Sequence, residues 1–166
     1  MYLLAIICSV WMLAFDRMSK GYVIHTFDLG ETKFAVSGLF DFTYIHNTGG
    51  AWGILSGKTW FFVLFALGMF FIGVYFLWKT WKKNALIFWG INLAISGGTG
   101  NLIDRIFNNG QVIDFIRLEF IDFPIFNVAD ISIVVGCGLI ILSTVIDIVQ
   151  DYKGGKSNIQ NINLSK

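Results

Sequence analysis

A chain of 166 residues with 55% apolar and only 14% charged side chains does not match a soluble domain, which carries about 25% charge. Its mean hydropathy of +0.68 places it in lipid, and its length allows one domain. The net charge of +1 gives no electrostatic case for nucleic acid, so no nucleic-acid partner is expected.

The first apolar run covers Tyr2 to Phe15 and continues past Asp16 and Lys20 to about Val23. No basic residue precedes it and Asp16 interrupts it, so it reads as a retained helix and not as a cleaved leader. Helical rise from Tyr2 to Asp16 is ~21 Å. This puts Asp16 in the outer half of a hydrocarbon core ~30 Å thick, with Lys20 near its outer edge. The two are four apart, acid before base, and share one helix face. An ion pair that locks helix one to its neighbours is the favoured reading of Asp16 and Lys20. A chemical role is the alternative, because charge in a span marks a functional site by default.

The loop at 24–59 follows. Lys33 to Val36 and Phe40 to Ile45 are rich in β-formers, and Gly30 and Gly38 break them. A small sheet resting on the membrane surface is expected. Asn47-Thr-Gly-Gly-Ala-Trp-Gly ends this loop; its glycines permit unusual backbone angles, but an ordinary turn explains them equally well.

Spans two, three and four are expected at 60–78, 85–103 and 131–149, each near the ~20 residues a crossing needs. Trp60, Trp78, Trp81 and Trp89 fall near span ends, as interfacial anchors do. Lys79, Lys82 and Lys83 crowd the link between spans two and three, and Lys153, Lys156 and Lys166 lie in the tail. The long loops at 24–59 and 104–130 hold only Lys33, Lys58, Arg105 and Arg117 as basic residues, with eight of the eleven acids. The positive-inside rule puts both termini and the Lys link in the cytoplasm and both long loops outside. Residues 1–152 form the single domain, and 153–166, rich in Gly, Ser, Asn and Lys, form a flexible cytoplasmic tail.

Two more polar groups stand out beyond helix one and the Asn47 loop. Gly97, Asn101, Asp104 and Arg105 share one face at the outer end of span three. That face suits an extended peptide backbone; close helix packing with an Asp104–Arg105 capping pair is an equal alternative. Asp114, in Val-Ile-Asp-Phe, and Asp130, just before span four, flank one interface. Two facing carboxylates share a proton: one can deprotonate water while the other donates to a carbonyl oxygen. Asp130 opens a helix, whose dipole favours the charged form. Spacing alone favours the plainer reading, an N-cap at Asp130 and a loop residue at Asp114. His25 and His46 lack further ligands at metal spacing, and Cys8 and Cys137 sit in apolar runs, so no metal, cofactor or disulfide is expected.

DRMSK (16–20), HNTGGAWG (46–53), GGTGNLIDR (97–105), VIDF (112–115) and FNVAD (126–130) occur in this order between the four spans. Together the blocks resemble those of bacterial lipoprotein signal peptidase, also called signal peptidase II, from about Ala14 to Leu142. The resemblance implies an all-α integral membrane protein of four transmembrane helices with a small extracytoplasmic β-cradle. It implies an aspartyl endopeptidase of the cytoplasmic membrane, with its active site at the outer leaflet. It would cut the signal peptide from diacylglyceryl-modified prolipoproteins just before the lipid-modified cysteine. Asp114 and Asp130 match the catalytic dyad. Asn47, Asn101, Arg105 and Asn127 match positions that line the substrate site, and Asp16, Lys20, Gly97 and Asp104 match supporting ones. The implied partners are prolipoprotein substrates and membrane lipid, with the enzyme a monomer. Arg17 stands where that family usually has glutamine, and Trp52 where it usually has phenylalanine. A Ser–Lys peptidase fits less well, because Ser19 and Lys20 project ~100° apart on one helix. A transporter is also a poorer fit, because spans two and four are nearly free of charge. A purely structural membrane subunit would leave the ordered polar blocks unexplained.

Overall fold

The computed structural model describes residues 2–164, with side chains described at 2–33 and 35–153. Lys166 of the basic tail lies outside the described residues. Four long helices dominate: α1 (Tyr2–Thr26), α2 (Thr59–Thr80), α3 (Ala85–Phe107) and α4 (Val128–Leu164). All four are long and apolar enough to cross a membrane, the qualifying stretch of α4 being Val128–Lys153. They contain the four expected spans. Large apolar side chains such as Leu3, Phe61, Phe71 and Val134 point outward from them. A helix that is apolar all round and exposed in isolation needs lipid as its solvent.

The helices assemble through small and polar residues, since apolar surface gains little by leaving lipid. α3 is the central element. A Cβ on Gly90 would fall 2.6 Å from the Gly136 carbonyl oxygen, and one on Gly136 would fall 2.5 Å from that of Gly90. Backbones of α3 and α4 therefore touch at this point. Gly97 repeats the contact two turns nearer the C-terminal end of α3, where an added Cβ would lie 2.2 Å from the Ala129 carbonyl oxygen. Deeper in the bundle, Ser9 donates to Asn92 Oδ1 at 3.1 Å, Ser96 donates to Ser9 at 2.9 Å and Ser132 donates to the Leu93 carbonyl at 3.0 Å. These bonds join α1, α3 and α4.

Three antiparallel strands complete the fold: β1 (Thr32–Val36), β2 (Phe40–Asn47) and β3 (Val112–Leu118), in the order β1-β2-β3. β1 and β2 correspond to the expected strands. β3 does not: the residues read as a loop around Asp114 form a paired strand, with Ile45 opposite Asp114 and Asn47 opposite Val112. Val112-Ile-Asp-Phe-Ile-Arg-Leu is in fact dense in β-formers. Val23, Phe27, Tyr44, Ile113 and Phe115 form a small core that seats the sheet on the C-terminal end of α1. At the far end of the sheet, Arg117 grips buried Asp41 through Nε at 3.0 Å and a second nitrogen at 2.5 Å.

Candidate active site

β3 delivers a buried carboxylate, Asp114, and the first turn of α4 a half-buried one, Asp130. Asp114 is 2% exposed, and both of its oxygens accept amide hydrogens. Asn47 lies two residues beyond Ile45 on β2, hence on the same face of the sheet and diagonal to Asp114. Its Nδ2 donates to Asp114 Oδ2 at 2.8 Å. Its own Oδ1 accepts from the Gly49 backbone at 2.9 Å, which fixes the amide the right way round. Asn127 Nδ2 donates to Asp114 Oδ1 at 2.6 Å.

Asp130 is not the N-cap of α4. That role belongs to Asn127, whose Oδ1 accepts from the Asp130 backbone at 3.0 Å, while Asp130 Oδ2 accepts from the Asn127 backbone at 3.0 Å. This reciprocal pair is a capping box with Asp at its third helical position. The other oxygen, Asp130 Oδ1, accepts from Asn101 Nδ2 on α3 at 2.7 Å. Asn127 thus binds Asp114 through its side chain and Asp130 through its backbone.

Burial pushes the Asp114 carboxyl up to about 7. The neighbouring Asp130 charge adds to the shift, and the donors Asn47 and Asn127 oppose it. A carboxyl held at that value exchanges a proton readily near neutral pH.

Asn47, Asn101, Arg105, Asp114 and Asp130 line one cavity of about 420 Å³, walled by Gly49 to Ala51, Phe123 to Phe126 and apolar residues of α4. Phe123 of this wall meets Trp52 edge-to-face at 5.8 Å. Arg105 donates to the Gly49 carbonyl at 3.0 Å and lies 4.8 Å from the Phe62 ring centroid. Its Nε is buried and has no hydrogen-bond partner among the described residues. A second, largely apolar groove of about 400 Å³ runs between α2, α3 and α4 and also reaches Asn101 and Arg105.

A buried ion cluster lies alongside. Lys20 Nζ is 2.9 Å from Asp16 Oδ2 and 2.8 Å from Asp104 Oδ2, and Arg17 also pairs with Asp104. The Asp104–Arg105 pairing considered from the sequence is absent; α1 supplies both cations that face Asp104. Gly97 stands where α3 meets the backbone of Ala129. Among the described residues, no three His, Cys, Asp or Glu side chains gather where they could hold a metal ion. Sequence reading missed the Phe123–Phe126 wall and the part played by Arg17. The aromatic density of Phe120-Ile-Asp-Phe-Pro-Ile-Phe was the available signal for the wall.

Lipid-facing helices, a surface sheet and an enclosed polar centre define an integral membrane protein with an enzyme-like site. Residues 8–146 match the family model described as signal peptidase (SPase) II. A lipoprotein signal peptidase of Lactococcus lactis subsp. cremoris (strain MG1363) is 37% identical over 145 residues, covering 87% of this chain and 95% of that protein. One of Enterococcus faecalis (strain ATCC 700802 / V583) is 36% identical over 139 residues, covering 84% and 86%. A solved structure described as a bacterial membrane enzyme, determined by the in meso method at 2.3 Å resolution, superposes with a TM-score of 0.82 at 36% identity, covering 87% of this chain and 88% of that one. The chain belongs to the signal peptidase II family, and it is a multi-pass membrane protease.

Proposed function

We propose that this chain is an aspartyl endopeptidase that removes the signal peptide from diacylglyceryl-modified prolipoproteins, cutting just before the lipid-bearing cysteine. The observation that carries the reading is the pair of carboxylates, buried Asp114 and half-buried Asp130, bridged by Asn127 and opening on one cavity. Two such groups near each other hold one proton between them. The raised value at Asp114 favours it as the proton holder at rest, with Asp130 as the base. Asp130 takes a proton from water, and the water oxygen attacks the scissile carbonyl carbon. Asp114 donates a hydrogen bond to the carbonyl oxygen as charge develops there. Collapse of the tetrahedral species breaks the C–N bond, and a carboxyl proton goes to the leaving amine. The pair supplies both acid and base, so the reading uses no metal or cofactor.

The arrangement also suits a lipidated substrate. An extended peptide would lie in the cavity beneath the sheet, with Asn101 and Arg105 supplying polar contacts. The apolar groove between α2, α3 and α4 meets the cavity at those same two residues and would receive an acyl chain directly from the bilayer. With the lysines of the α2–α3 link in the cytoplasm, the termini are cytoplasmic and the site faces the outer leaflet.

The test is to incubate the purified protein in detergent with a prolipoprotein carrying the diacylglyceryl group and with the same protein lacking it. Cleavage of the first, with a new terminus at the modified cysteine and little cleavage of the second, is expected. Equal cleavage of both would remove the lipid from the recognition, and cleavage elsewhere would overturn the assignment.

A further inference from the structure

We infer that Lys20 is a positioning residue for the proteolytic pair, and not only an ion-pair partner that locks α1 into the bundle. The inference rests on Asp114 and Asp130 as the working carboxylates. Lys20 is completely buried. An ammonium has three hydrogens to donate, and Lys20 Nζ has three acceptors: Asp16 Oδ2 at 2.9 Å, Asp104 Oδ2 at 2.8 Å and Asn101 Oδ1 at 3.1 Å.

Each acceptor passes the constraint on to one member of the pair. Asp16 uses its other oxygen to accept from the Ala129 backbone at 3.1 Å, immediately before Asp130. Asp104 Oδ2 accepts from the Ile113 backbone at 3.3 Å, immediately before Asp114. Asn101 donates from Nδ2 to Asp130 Oδ1 at 2.7 Å. One charge on α1 therefore holds the start of β3, the start of α4 and one oxygen of Asp130. A lock between helices would require only the ion pair with Asp104 on α3, since Asp16 shares α1 with Lys20.

The orientation of Asn101 is the sharpest element. Its Oδ1 accepts from both Lys20 and Asn127 Nδ2, the latter at 3.0 Å. Turning the amide over would set its NH2 group against an ammonium and its oxygen against the Asp130 carboxylate. Both contacts are repulsive, so Lys20 fixes which end of Asn101 faces the reaction.

The test uses Lys20→Met, close in volume but without charge or donors, purified in detergent. Turnover is expressed per folded enzyme, with folding followed by thermal unfolding, on a diacylglyceryl-modified prolipoprotein. Expected is a kcat lower by on the order of 10–100-fold, since ångström-scale misplacement costs that much, with KM within about twofold. A reduced yield or Tm with wild-type kcat per folded enzyme would overturn the inference and leave Lys20 a structural lock. A change confined to KM would overturn it as well. Should Lys20→Met fail to fold, Lys20→Gln, which keeps a donor for one acceptor, is read by the same kcat and KM criteria. Asp114→Asn and Asp130→Asn are assayed alongside. If they still cleave, the aspartyl reading fails and the positioning role falls with it. If they are dead and the Lys20 variants turn over at the wild-type rate, the positioning role alone is lost.

Discussion

The side-chain amide of Asn127 donates to Asp114 Oδ1 at 2.6 Å, and both residues are buried. Because the Asn127 backbone also donates to Asp130, this one residue fixes the relative placement of two groups that arrive on different elements. Asn127→Ala should therefore have two separable effects. Loss of the N-cap lowers stability by about 1 kcal/mol, read as a fall in Tm. Loss of the amide leaves Asp114 with Asn47 as its remaining amide donor, and kcat per folded enzyme should fall on the order of tenfold or more. A lower Tm with an unchanged kcat would reduce Asn127 to a cap.

Asp114 also predicts a pH dependence of stability. Its ordinary value is 3.8 and burial raises it to about 7. Between those values the folded protein holds a proton at Asp114 that the unfolded chain has released. Raising the pH through this window therefore withdraws stability, by about 4 kcal/mol in all at ~1.4 kcal/mol per unit. Wild-type Tm in detergent should fall from pH 5 to pH 8, and Asp114→Asn should flatten most of that fall whatever its Tm at pH 5. Parallel slopes for the two proteins would show that Asp114 does not carry the dependence.

Gly97 and Gly98 make a matched pair. A Cβ at Gly97 would lie 2.2 Å from the Ala129 carbonyl oxygen, whereas one at Gly98 meets nothing within 4 Å and would open on the apolar groove. Gly97→Ala must push α4 away next to Asp130, at a cost of roughly 1–3 kcal/mol and with lost turnover. Gly98→Leu should keep or raise Tm, because glycine is the poorer helix former. If the groove takes an acyl chain, Gly98→Leu should raise KM for the diacylglyceryl substrate without lowering kcat. An unchanged KM would remove this groove from lipid binding.

Arg105 joins the two spaces and holds the Gly49 carbonyl. Hydrogen bonds to a charged group are worth roughly 1.5–3 kcal/mol. Arg105→Ala should lower kcat/KM about ten- to a hundredfold, mainly through KM. Wild-type kinetics in this variant would take Arg105 out of the substrate site.

The helices were legible because ~20 apolar residues in a row have few alternatives. The proposed pair, Asp114 and Asp130, was visible only as two acids near one interface. What brought them together was less visible. β3 looked like loop because its pairing to β2 joins residues some seventy positions apart, such as Ile45 and Asp114. Asp104 and Arg105 seemed a natural pair in sequence, yet consecutive helical residues project about 100° apart. Arg17 and Lys20, from another helix, face Asp104 instead. A cross-helix ion pair leaves no periodic trace in either helix, so composition and spacing could not have found it. Asn127 is similar: FNVAD marks a helix start, but its contact with Asp114 exists only once β3 lies against α4.

The decisive prediction concerns the pair itself. Asp114→Asn and Asp130→Asn should each abolish cleavage while the protein remains folded and still binds substrate. Asparagine is nearly isosteric with aspartate but cannot take a proton from water or share one. Since the two carboxylates act as a unit, the double variant should be little worse than either single one. Asp104→Asn should act first through stability and, through its hold on the Ile113 backbone, lower turnover per folded enzyme without abolishing it. It weakens a completely buried ion pair with Lys20 and a partly exposed one with Arg17; breaking a buried pair costs about 3–5 kcal/mol, so it should lower Tm or yield. Uncleaved prolipoprotein is measured in cells carrying each variant, with membrane levels checked by immunoblot. A variant of Asp114 or Asp130 present at normal level and cleaving at a substantial fraction of the wild-type rate would end the aspartyl assignment.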